Sequence, residues 1–136
     1  MTCAKAFGAA ALALCAVTGL GVGPAGAADG VALPYPGPDG VVWVNGQVGD
    51  GGLVSGGTSR SLPTVLTVAC EGGGSVRVTM ESQQTQVAAF TVDCPVGTTG
   101  VGSATMAPGL VEGSFSVGID ASADTIGWAL VVTQPE

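Results

Sequence analysis

The chain has no histidine, and its only lysine is Lys5. Arg60 and Arg77 are the only arginines. These shortages exclude much familiar chemistry. Without histidine, neither a Ser-His-acid triad nor a Cys-His pair can be assembled. No serine stands in a Gly-x-Ser-x-Gly elbow. Nucleic-acid binding depends on neutralising phosphates with Lys and Arg, and ten carboxylates face three cations here. Aromatic residues make up 4% of the chain, little material for the sugar-lined cleft of a glycosidase. A carboxylate pair drawn from Glu71, Glu81, Glu112 or the aspartates is the one hydrolytic arrangement left open.

The N-terminus carries an address. Lys5 is followed by an alanine- and leucine-rich apolar stretch over residues 6–20. Gly19, Gly21, Gly23 and Pro24 then weaken any helix, and Ala25-Gly26-Ala27-Ala28 offers small side chains for signal peptidase. Residues 1–28 therefore read as a cleavable signal peptide, cut after Ala27 or Ala28. An uncleaved membrane anchor would want a longer, less glycine-rich stretch with a charged stop beyond it. Leu12-Ala13-Leu14-Cys15 resembles a lipobox, but Leu14 is bulky where processing needs a small residue. Secretion without a membrane anchor is the expectation. Cleavage removes Lys5, and with it any Ser-Lys or Schiff-base chemistry. It leaves ten acidic residues against two arginines, a formal charge of −8, which keeps the protein soluble.

Cys3 and Cys15 leave with the leader, so Cys70 and Cys94 remain as one pair in an oxidising compartment. A disulfide is expected. The rival use, a zinc site, lacks histidine and close cysteine spacing.

Residues 29–40 contain Pro34, Pro36 and Pro38 and read as an extended Pro/Gly-rich arm or linker. From Val41 to residue 136 the pattern has period two. Val41-Val42-Trp43-Val44 is apolar on both faces and precedes Asn45-Gly46, a strong hairpin signal. Residues 49–57 hold five glycines and suggest a mobile loop. Leu66, Val68 and Cys70 share one strand face, and Glu71-Gly72-Gly73-Gly74 reads as the turn to a return strand. That strand separates Val76, Val78 and Met80 from Ser75, Arg77, Thr79 and Glu81. Ala88, Phe90, Val92 and Cys94 form another face, so both thiols are in phase with core residues. A weaker strand is predicted over residues 101–106. Phe115, Val117 and Ile119 precede a final strand with Ile126, Trp128, Leu130 and Val132. These short strands predict an all-β, two-layer antiparallel sandwich, jelly-roll or Ig-like, with a small barrel as the alternative.

Few residues stand out as a site. Asp39-Gly40, Asp50-Gly51 and Asp120 with Asp124 fall in predicted turns, where aspartate bonds nearby amides, and no EF-hand spacing is present. No metal or cofactor is expected. The phase of Trp128 assigns it to the core. Trp43, with Tyr35 on the arm, could form an exposed aromatic contact surface.

Thr67-Val68-Ala69-Cys70, Phe90-Thr91-Val92-Asp93-Cys94-Pro95 and the stretch from Gly127-Trp128 to Glu136 resemble small secreted β-sandwich proteins of unknown function from high-GC Gram-positive bacteria. The resemblance implies fold rather than activity. The expected role is a non-enzymatic binding or structural module of the cell surface or medium, meeting an extracellular protein or glycan. A small-ligand carrier or protein inhibitor, using a cleft beside residues 49–57, is the alternative. A carboxylate-dependent hydrolase comes third.

Overall fold

The two-residue alternation is realised as eight strands in a computed structural model that describes residues 30–136. The expected signal peptide lies outside the described residues. In chain order the strands are β1 (Gly40–Val48), β2 (Gly51–Thr58), β3 (Thr64–Glu71), β4 (Gly74–Ser82), β5 (Thr85–Cys94), β6 (Gly100–Met106), β7 (Gly113–Ala121) and β8 (Gly127–Thr133). A short 3-10 turn, Gly37–Asp39, precedes β1.

A sheet with one apolar face must bury it, and here two four-stranded antiparallel sheets bury theirs against each other. Sheet I has the order β1-β8-β3-β6 and sheet II the order β2-β7-β4-β5. The pairs β4·β5, β3·β6, β2·β7 and β1·β8 are nested, as if one long hairpin had been folded over. This is the jelly-roll order, and it decides between the two sandwich topologies expected from sequence.

The strand faces match the alternation. Leu66, Val68, Val76, Val78, Met80, Leu130 and Val132 are each fully buried between the sheets. Phe115, Val117, Ile119 and Trp128 join the same core. The weak strand is present as β6. Cys70 on β3 and Cys94 on β5 form the disulfide, which ties sheet I to sheet II through the core.

Three connections differ from expectation. Asn45-Gly46 does not close a hairpin. It forms a bulge inside β1, where Val44 pairs with Leu130 and Gln47 with Trp128, so two residues oppose one. Gly46 takes φ 68°, which the bulge requires and which glycine adopts without a Cβ penalty. The local signal read a left-handed residue correctly, but β1 already had a partner in β8.

The glycine-rich segment predicted as a mobile loop is mostly β2, the edge strand of sheet II, in register with β7 from Gly51↔Ile119 to Ser55↔Phe115 and, after a register shift at Gly56-Gly57, at Thr58↔Gly113. A Cβ on Gly52 would collide with the Val117 carbonyl, so close strand packing, not mobility, explains that glycine. The Gly72-Gly73-Gly74 turn joins β3 and β4 across the two sheets rather than within one. Its amides at Gly72 and Gly73 donate to the carbonyls of Pro95 (2.9 Å) and Cys94 (2.7 Å).

The Pro/Gly-rich arm is not free: residues 30–36 form no helix or strand, Gly37–Asp39 make the 3-10 turn and Gly40 opens β1. Val31–Glu136 forms one compact unit, and Val31 is buried with Ala69 and Ala129, with Leu33 packed beside them. Ala69 and Ala129 face outward from the two central strands of sheet I, so the arm lies over that outer surface. This explains why Trp128, Ala129, Leu130, Val131 and Val132 are all buried. The core covers one side of β8 and the arm covers part of the other.

Candidate functional site

The arm is fastened by β1. Trp43 and Asn45 stand two residues apart on the strand and both reach Leu33. The Asn45 Oδ1 accepts from the Leu33 amide at 2.9 Å, and Asn45 Nδ2 donates to the Leu33 carbonyl at 3.4 Å. Trp43 Nε1 donates to the same carbonyl at 2.8 Å. The Gly46 amide, freed by the bulge, donates to the Val31 carbonyl at 2.9 Å. Proline at 34, 36 and 38 cannot donate to a ladder, so side chains of β1 provide the arm's attachment instead.

This attachment places Tyr35 against Trp43, with ring centroids 5.1 Å apart and planes at 67°. Tyr35 is 69% exposed and Trp43 46% exposed. The structure thus brings together the two residues that sequence marked as a contact surface, and places Trp128, 2% exposed, in the core. Shallow grooves flank the Tyr35-Pro36 ridge. One, of about 130 Å³, is lined by Gly37, Gly40, Val41 and Trp43. The other, of about 240 Å³, is lined by Leu33, Thr67, Val131 and Thr133.

Register fixes the composition of the surrounding face. Trp43 pairs with Val131, Val131 with Thr67, and Thr67 with Ser103, a row that crosses all four strands of sheet I. The next row is Thr133, Val65 and Thr105. Within the four strands of sheet I, Glu71 at the end of β3 is the single charged residue, and it accepts from Thr99 Oγ1 at 3.4 Å. Among the described residues of the arm, Asp39, in the turn before β1, is the carboxylate at the margin of this face. Sheet II carries Arg77, Glu81, Asp93 and Asp120 in its strands. The two sheets therefore differ in charge, and the aromatic pair sits on the one with fewer charged residues.

The carboxylates considered for hydrolysis are dispersed. Glu71 ends β3 in sheet I, Glu81 is on β4 in sheet II, and Glu112 lies before β7, 4.0 Å from Arg60 in an exposed ion pair. Among the described residues, no group of three His, Cys, Asp or Glu side chains is placed to hold a metal ion. Asp50 Oδ1 instead accepts from the Ala121 amide at 2.8 Å, pinning the β1–β2 connection to the end of β7 rather than to a nearby amide. Beside Val54 on β2, a further depression of about 200 Å³ is lined by Glu81, Gln83, Gln84 and Ser116.

Sequence reasoning missed the latch formed by Asn45 and the groove floor of Thr67, Val131 and Thr133. The Asn-Gly pair was visible but pointed to a turn, and the groove depends on strand order, which alternation does not encode. Comparison with known proteins finds no matching family model, no similar curated protein and no similar solved structure.

Proposed function

We propose that the protein is a secreted, non-enzymatic binding module whose contact surface is the outer face of sheet I around Tyr35 and Trp43. The observation that carries this reading is the aromatic pair itself, held partly exposed by hydrogen bonds from β1 on a sheet whose strands carry one charged residue, Glu71. Exposed aromatic area costs solubility unless a partner covers it, and ordering it in advance lowers the entropy lost on binding. Export is supported by the leader-like residues 1–28 and by the Cys70–Cys94 disulfide. Among the described residues, no helix is long and apolar enough to cross a membrane. A binding rather than catalytic role is supported by the lack of histidine and of any lysine beyond Lys5.

The test begins with protein recovered from culture medium after expression of the full chain. Intact mass should show an N-terminus at Ala28 or Asp29 and two hydrogens fewer than the dithiol. That protein is then passed over insoluble cell-wall material and over concentrated culture proteins. The Tyr35→Ala/Trp43→Ala double variant should lose at least tenfold in retention, while Thr91→Ala on sheet II should lose none. Equal retention of both variants would place the contact surface elsewhere.

A further inference from the structure

We infer that the face around Trp43 binds an uncharged polysaccharide chain; the inference rests on the contact surface proposed above and names its ligand class. Four observations converge. First, the Trp43 N–H is already satisfied by the Leu33 carbonyl at 2.8 Å. What the indole still offers is ring surface in a fixed orientation, which suits the C–H face of a pyranose and needs no polar partner.

Second, Tyr35 stands at 67° to Trp43. The two rings make a corner, not a flat apolar sheet, so a ring stacked on one meets the edge of the other. Third, the 240 Å³ groove combines an apolar floor at Val131 with the hydroxyl-bearing Thr67 and Thr133. Ser103 and Thr105 continue these hydroxyls across β6. A dry apolar protein surface would strip water from those hydroxyls without replacing their hydrogen bonds, whereas a polyhydroxyl chain can replace them. With strands about 4.8 Å apart, the row from Trp43 to Ser103 spans about 14 Å, room for more than one sugar ring along an extended chain.

Fourth, charge argues against the other polymers. The exported chain carries ten carboxylates against two arginines, so an anionic polymer is repelled over the whole molecule. A basic partner would seek clustered carboxylates, and this face offers two that are apart, Asp39 at its margin before β1 and Glu71 at the far end of β3 beyond Ala69. A neutral chain meets neither objection. Asn45 is a positioning residue for this site, because it holds Leu33 and therefore Tyr35 in place without lining the groove.

The experiment uses the protein recovered from medium with microcrystalline cellulose, chitin and amylose as neutral probes, and polygalacturonate as an anionic one. Retention on at least one neutral probe is expected, with little change between low salt and 1 M NaCl. Trp43→Ala should weaken it at least tenfold, and Trp43→Phe, which keeps a ring, should weaken it less. Asn45→Ala should weaken it severalfold and shift Trp43 emission to the red, while Thr91→Ala leaves both unchanged. Thermal melts identify any variant that has unfolded, and Trp43→Phe then carries the comparison. Failure of every neutral probe, or salt-sensitive retention on polygalacturonate alone, overturns the inference. If no neutral probe binds but a culture protein is captured and lost in Trp43→Ala, the contact surface stands and the ligand class falls. If Trp43→Ala alters no capture at all, both fall.

Discussion

Replacing Trp128 by Phe tests how the first corner of the sandwich is held. The indole is 2% exposed, and its Nε1 donates to the Gly49 carbonyl at 2.7 Å, where the chain leaves β1 of sheet I for β2 of sheet II. A Cβ on Gly51 would lie 3.0 Å from the ring, so the next strand starts directly against it. Phenylalanine keeps an aromatic ring but removes the donor, leaving a buried carbonyl unpaired at a cost of about 1–3 kcal/mol. Roughly 40 Å³ of unfilled space adds about 1 kcal/mol at the usual cavity cost. The expected loss is about 2–4 kcal/mol, read from urea unfolding at constant slope with the disulfide intact. Amide exchange should accelerate first near Gly49 and Asp50. A loss under about 1 kcal/mol would refute the reasoning. It would mean that the corner is held by the Gly49 amide on Ile126 and by Asp50 on the Ala121 amide. The variant also leaves Trp43 as the sole tryptophan, so its emission reports on the proposed site alone.

Two further perturbations test other parts of the fold. The β4–β5 turn places Gln83 at φ 53° and Gln84 at φ 65°, a conformation unfavourable to residues with a Cβ. Gln84→Gly should therefore raise stability by about 0.5–1 kcal/mol, a gain of a few degrees in Tm, measured by calorimetry; Gln83 is kept because its amide donates to the Glu112 carbonyl at 2.8 Å. Removing the disulfide as Cys70→Ala/Cys94→Ala opens a loop of sequence separation 24 and should cost about 3.5 kcal/mol from loop-closure entropy. Chemical denaturation of the two forms side by side measures it.

The strand faces could be read from the chain because period-two alternation is a local property. Val76, Val78 and Met80 point inward wherever the strand is placed, provided one face is buried. The phase of Cys70 and Cys94 with their apolar neighbours likewise foretold a pairing through the core. Local turn chemistry was less informative. Asn45-Gly46 carries the conformational preference of a hairpin turn, and Gly46 does adopt a positive φ, yet the chain continues straight into Gln47 because β8 pairs on both sides of the bulge. Glycines 51 and 52 signalled flexibility when their actual role is clearance for Trp128 and for the Val117 carbonyl.

The sequence by itself determined the all-β class, the inward faces, the cysteine pairing and the shortage of catalytic groups, since each follows from residue type and local spacing. It also singled out Tyr35 and Trp43. Only the tertiary structure decided that the strands nest as a jelly roll, that the arm lies over sheet I, and that Tyr35 meets Trp43 above Val131 and Thr67. Those relations join residues far apart in the chain, and their register is set by which strand edges remain free once the core has closed. The scarcity of charge on the face has the same origin. The carboxylates are spread along the sequence, and the strand order is what gathers β1, β3, β6 and β8, nearly free of charge, into one sheet.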